Sequence, residues 1–168
     1  MEDRKMIPHI KKILYATDLS KNSIYAFYFA VDMAKKYDAK ICILHVVEPF
    51  SATFGGRTVK LPQDQPEASI TVIKTRIQKF CNKMEEKENL ACAALVAKTI
   101  VQIGDPVQEI LKAVDQEGCN LIVLGNHGKG FVERTLLGNV SRSVMDMAKK
   151  PVFLIPLPSE ETLVLDEM

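Results

Sequence analysis

Five short apolar runs recur along this chain, at residues 13–17, 41–47, 95–103, 121–124 and 152–155. A strand with one wet face alternates apolar and polar residues, whereas a run that is apolar throughout is covered on both faces. Between the runs the apolar residues return at every third or fourth position, the period of a helix with one buried stripe. Strands that alternate with amphipathic helices build a parallel sheet with helices on both sides. The expected fold is therefore α/β, three layers deep, around a five-stranded parallel sheet. Right-handed crossovers leave few topologies, and the order 3-2-1-4-5 is the one predicted.

The helix signals are local and specific. Ser20 stands as an N-cap before Ile24, Phe27, Tyr28, Val31 and Ala34. Ile70, Ile73, Ile77, Phe80 and Met84 mark a second helix. Asp105-Pro106 opens the next, with Gln108 at the capping-box position and Gly118 as its left-handed stop. A last helix runs from about Gly138 to Lys149-Lys150, where basic residues suit the negative end of the dipole and Pro151 ends the pattern. Residues 49–65, with Gly55-Gly56 and Pro62, read as a long mobile connection. One domain is expected over residues 8–157, followed by an acidic tail at 158–168.

In the predicted order the chain reverses direction between strands one and four. Ligands of open α/β sheets bind beyond the strand carboxyl ends at such a switch point. Strand one ends at Ala16-Thr17-Asp18, and strand four ends in Leu124-Gly125-Asn126-His127-Gly128-Lys129-Gly130. Glycines let backbone N–H groups approach a ligand closely, and a helix opening nearby adds a positive dipole end. That combination suits phosphate. Lys129 is placed either to pair with phosphate or simply to be solvated, and no Walker-type Gly-Lys-Ser/Thr closes the turn. Asp18 suits a helix cap, a ribose hydroxyl or a divalent cation that needs a hard oxygen ligand.

The remaining composition narrows the function by exclusion. A net charge of +1 provides no field to gather nucleic acid, and no apolar run is long enough to span a bilayer. A cytoplasmic protein is expected. Cys42, Cys81, Cys92 and Cys119 show neither a CxxC pair nor metal-ligand spacing, and read as reduced, mostly buried thiols. His45 falls within a buried strand and reads as a core histidine; His127 lies in the loop beside the phosphate site. His127 has no partner carboxylate or nucleophile in view, so it is not assigned as a general base.

Taken together, Lys12-Ile13-Leu14-Tyr15-Ala16-Thr17-Asp18 with Ser20, Leu44-His45-Val46-Val47, Gly104-Asp105-Pro106 and residues 121–155 resemble the universal stress protein family. That family lies within the adenine-nucleotide α-hydrolase-like folds, and the likeness runs from Ile10 to about Pro156. It includes the family's nucleotide signature: a glycine, two residues, a glycine, nine residues, then glycine and a small hydroxyl residue. Here these are Gly125, Gly128 and Gly138, with Asn139 at the hydroxyl position.

The resemblance implies an ATP (or AMP/ADP) site, with Mg²⁺ or Mn²⁺ on the phosphates and Asp18 as the metal-side carboxylate. Ala16, Thr17 and Asp18 would lie near the nucleotide, and Val46 would line the adenine pocket with its backbone. Leu124, Gly125, His127, Gly128 and Lys129 would face ribose and phosphates, joined by Gly138, Asn139, Val140 and Ser141. It also implies a homodimer through Val152–Ile155, an antiparallel pairing that would cover an otherwise exposed apolar edge. A nucleotide-dependent switch in a stress response is the function expected. A dimeric interaction module without nucleotide, with an unknown protein partner, and a slow ATPase or autophosphorylating protein are the alternatives.

Overall fold

The computed structural model describes residues 7–49, 51–54, 57–60, 66–89, 91–126 and 138–156. They form seven strands and five helices. The main sheet holds β1 (Lys12–Thr17), β2 (Lys40–Val47), β5 (Val96–Ile103), β6 (Leu121–Gly125) and β7 (Val152–Ile155), and its order is β5-β2-β1-β6-β7. Every pairing in it is parallel. This is the predicted 3-2-1-4-5 arrangement, with the switch point between β1 and β6.

The sheet separates two cores. On one face α1 (Lys21–Tyr37) and α2 (Pro66–Glu88) cover Ile13, Tyr15, Ile41, Ile43 and Val123, with Phe27 fully buried at the centre. On the other, α4 (Pro106–Glu117) and α5 (Asn139–Met147) cover Leu14, Cys42, Leu44, Ile122 and Leu124. Successive residues of β1 and β2 thus serve opposite cores, which is why these runs are apolar throughout. A fully buried Leu, Ile or Phe contributes about 1.5–3 kcal/mol, so the central strands anchor the domain. All four cysteines are buried and unbridged.

The capping residues perform as their positions predict. Ser20 Oγ accepts the Ser23 N–H at 3.3 Å, and Asp38 ends α1 in the left-handed region at φ 50°. Asp105 Oδ1 accepts the Gln108 N–H at 2.9 Å, Pro106 opens α4, and Gly118 stops it at φ 64°.

Two expectations change. Residues 49–65 are not simply a connection: β3 (Ser51–Phe54) and β4 (Arg57–Lys60) form an antiparallel hairpin, in register from Ser51↔Lys60 to Phe54↔Arg57. A two-residue link containing glycines is a strong hairpin signal, and here Gly55-Gly56 separates the strands. The third apolar run also starts differently, because Cys92–Leu95 forms one helical turn, α3, before β5 begins at Val96. The 158–168 tail lies outside the described residues.

Candidate functional site

At the carboxyl ends of β1, β2 and β6 a cavity of about 530 Å³ opens on the α4 and α5 side of the sheet. Three pieces of chain supply its polar groups, and α4 adds Pro106 and Ile110.

The first is the turn from β1 into α1. Ser23 Oγ donates to Ser20 O at 3.0 Å, so the Thr17 hydroxyl must be the donor in its 2.8 Å contact with Ser23 Oγ. Thr17 Oγ1 also accepts the Leu19 N–H at 3.0 Å, which commits this hydroxyl to the turn. Asp18 Oδ1 accepts the Ser20 N–H at 2.9 Å, and its carboxylate lies at the cavity wall. Tyr15 donates to Ser23 O at 2.6 Å from beneath; burial pushes its phenol well above the ordinary range and keeps it neutral. Ala16 and Thr17 complete this wall.

The second piece is the end of β2. The Lys40 N–H meets the O of Lys11, just before β1, at 3.0 Å, and every second residue of β2 thereafter turns its backbone to the same side. Val46 falls in that series. Pairing with β1 stops at Thr17↔His45, while pairing with β5 continues to Val47↔Ile103. The Val46 C=O is therefore aimed past the end of β1, where the neighbouring chain has already turned away. Its side chain lines the cavity beside Leu44. His45 is nine-tenths buried, and its Nδ1 lies 2.7 Å from Thr17 O. A carbonyl only accepts, so Nδ1 carries the proton in that bond.

The third piece joins β6 to α5. Asn126 N–H donates to Ile155 O at 2.7 Å, and Gly138 N–H returns to Asn126 O at 3.1 Å. The chain thus leaves and re-enters at one point, which brings Gly125 and Gly138 together across thirteen positions of sequence. Gly138 is the N-cap of α5 and has no side chain to cap with. The first N–H turned back into the helix is that of Arg142, on Gly138 O at 3.0 Å. The N–H groups of Asn139, Val140 and Ser141 have no intrahelical acceptor and stand at the positive end of the helix dipole. All three residues line the cavity. Ser141 is buried, and its hydroxyl donates to Gly125 O at 2.9 Å, clipping α5 to the end of β6.

Of the residues singled out from sequence, Ala16, Thr17, Asp18 and Val46 therefore share one cavity with Leu124, Gly125, Gly138, Asn139, Val140 and Ser141. His127, Gly128 and Lys129 lie outside the described residues. The carbon-rich part of the lining includes residues that sequence reasoning does not select: Leu44, Pro106 and Ile110. In sequence they read as ordinary core and helix positions, and only the crossing of α4 over β2 brings them here. Asn126 is a further residue that the sequence does not single out. Among the described residues its buried Oδ1 has no hydrogen-bond partner, a costly state for an amide oxygen. Among the described residues no three His, Cys, Asp or Glu side chains are grouped to hold a metal, and no helix is long and apolar enough to cross a membrane.

Comparison with known proteins accords with this layout. The chain is 34% identical over 146 residues to the universal stress protein YxiE of Bacillus subtilis, covering 86% of this chain and 97% of that protein. It is 30% identical over 154 residues to the universal stress protein MJ0577 of Methanocaldococcus jannaschii, covering 86% and 94%. In fold it is similar to the universal stress protein from Archaeoglobus fulgidus in complex with dAMP, with a TM-score of 0.58 at 19% identity over 89% of this chain and 99% of that one. The family model described as universal stress protein family matches residues 9–156. The chain belongs to the universal stress protein family.

Proposed function

We propose that this chain binds ATP, or its mono- or diphosphate, in the cavity at the switch point and acts as a nucleotide-dependent switch. The observation that carries the reading is the junction of Gly125 and Gly138, where the three N–H groups opening α5 face a cavity of about 530 Å³. Backbone N–H groups at a helix start suit phosphate oxygens, which are anionic and only accept. The apolar part of the lining, from Leu44, Val46, Ile110 and Val140, suits the faces of a purine, and the outward Val46 C=O suits its exocyclic amine. The Archaeoglobus relative named for its dAMP complex supports an adenine nucleotide.

The residues also fit a divalent ion of the kind that accompanies phosphates. Mg²⁺ is usually held by one or two carboxylates, with phosphate oxygens and water completing its shell. Asp18 supplies such a carboxylate at the wall, and Mn²⁺ would be held in the same way. When bound, the ion would neutralise phosphate charge.

Binding, rather than turnover, is the proposal. His45, which lines this cavity, keeps its Nδ1 proton on Thr17 O and is not aimed at an attacking water by that bond. Homodimerisation through β7 belongs to the same reading, supported by Phe153, which is 38% exposed on that edge strand. A cytoplasmic setting is part of it too.

Isothermal titration of nucleotide-free protein with ATP and Mg²⁺ tests the reading. Saturable binding with one site per chain is expected, and no heat at millimolar nucleotide would falsify it.

A further inference from the structure

A second cavity, of about 240 Å³, lies on the opposite face of the sheet, between α1, α2 and the ends of β1 and β2. Its walls are carbon: Leu19, Ile24, Ile43, Ile77 and Phe80. Phe80 is braced edge-on by Phe27 at 5.3 Å, and Phe27 in turn lies 4.9 Å from Tyr15. The polar atoms within reach are already paired. The Tyr15 hydroxyl is on Ser23 O, and Thr17 Oγ1 is held by Ser23 and Leu19. A molecule buried here gains from apolar contact and would lose from any polar group it carried inside.

The mouth has the opposite character. Arg76, Lys79 and Lys83 line it, all exposed and all on one side of α2. Neighbouring cations at such spacings repel one another. Among the described residues none of the three forms an ion pair, although Lys36, Lys98 and Lys112 do. Long basic side chains can lie along an apolar opening while their charge stays in water.

The backbone at Leu19 adds an independent sign that this wall is specified. Leu19 adopts φ 62°, a left-handed conformation in which glycine is the ordinary choice. The turn imposes it through the Leu19 N–H bond to Thr17 and the Ser20 N–H bond to Asp18. A leucine kept under that strain puts side-chain carbon into the cavity wall, where glycine would leave a gap.

We infer that this second cavity binds a small amphipathic anion, an aliphatic or aryl carboxylate whose hydrocarbon end enters between α1 and α2 and whose charge rests among Arg76, Lys79 and Lys83. A cavity of about 150 Å³ accepts benzene, so the larger one here matches a chain of about eight carbons. A neutral hydrocarbon would satisfy the walls but leave the cations unmet; a hydrophilic anion would do the reverse. The site stands apart from the nucleotide reading, since the two cavities lie on opposite faces and share only Thr17 among their linings.

Sodium octanoate is the probe. Calorimetric titration of the full chain should show saturable, one-to-one binding that weakens as salt is raised. The variant R76E/K79E/K83E, altered only at exposed positions, should bind octanoate about tenfold or more weakly. Its circular-dichroism melt should match that of the unaltered protein, and 1-octanol should bind the unaltered protein about as poorly as octanoate binds the variant. Saturating ATP should leave octanoate binding in place. The inference is overturned by absence of saturable heat up to about 10 mM. Equal octanoate affinity in the charge-reversed variant, affinity indifferent to salt, or displacement of octanoate by ATP would overturn it as well.

Discussion

The two cavities lie back to back across the ends of β1 and β2, and they are made of different material. On the α4 and α5 side the polar capacity is backbone: the N–H groups of residues 139–141, the C=O of Val46, and two glycines brought into register by Asn126. On the α1 and α2 side the nearby polar atoms are already paired, and the character comes from side chains, carbon within and cations at the rim. Backbone groups are fixed by the fold and need little ordering to meet a ligand. Lysine and arginine must be immobilised, which costs about 0.5–1.5 kcal/mol for each side chain held. The first cavity is therefore suited to tight, oriented recognition of a polar molecule, and the second to looser capture of a mostly apolar one.

The difference can be broken most sharply at Val46. Val46→Trp fills the first cavity from a half-buried position and should lower ATP affinity by about 100-fold or more in calorimetry. Octanoate affinity should stay within about twofold, and R76E/K79E/K83E should behave in the reciprocal way, sparing ATP. If either change weakens both ligands equally, the two sites are not separate.

Ser141→Ala tests whether the first site depends on its frame. The hydroxyl holds Gly125 O, not a ligand, so its loss should act by loosening α5 against β6. About 1 kcal/mol of stability and about fivefold in ATP affinity are expected, read by denaturant unfolding and titration. An unchanged melt with strongly reduced affinity would mean that the hydroxyl contacts nucleotide directly.

Asp105→Ala should cost about 1 kcal/mol, about 2–4 °C in melting temperature, by removing the cap on Gln108 N–H. ATP affinity should follow only modestly, since Pro106 and Ile110 line the cavity from the same helix. The smallest effect is expected for Asn139→Ser, which restores a hydroxyl at the signature position. The Asn139 side chain is exposed, and the group turned to the cavity at that position is its N–H. ATP affinity should change by no more than about threefold in titration; a larger gain would show that the side chain, and not the helix end, holds phosphate.

The contrast in material also explains why the two sites differ in how plainly the sequence announces them. The first is legible because backbone-built sites leave marks in sequence. Gly125 and Gly138 stand out as glycines at a fixed spacing, Thr17-Asp18 ends a buried apolar run, and the glycine spacing resembles the family's signature. The second site leaves no such mark. Ile77 and Phe80 read as helix core, which they also are, and Arg76, Lys79 and Lys83 as a solvated face. Leu19 gives no warning of a positive φ, because its strain is set by the bonds that its own N–H and that of Ser20 donate to Thr17 Oγ1 and Asp18 Oδ1. The β3–β4 hairpin is hidden because its polar residues outweigh the Gly55-Gly56 signal, and α3 because Cys92–Leu95 is too short to show a period.

Sequence by itself determined the alternation of strand and helix, the caps at Ser20, Asp105 and Gly118, the sheet order, and the strand ends that meet at the switch point. These follow from hydrophobic period and local hydrogen bonding, which act over a few residues. Tertiary structure decided which groups face each other across the sheet. It closed the chain on Asn126, aimed the Val46 carbonyl past the end of β1, carried Pro106 and Ile110 over β2, and gathered three cations of α2 at the mouth of an apolar cavity. Such contacts join residues tens of positions apart, and no local pattern encodes them, because their geometry is fixed only when the helices pack against both faces of the sheet.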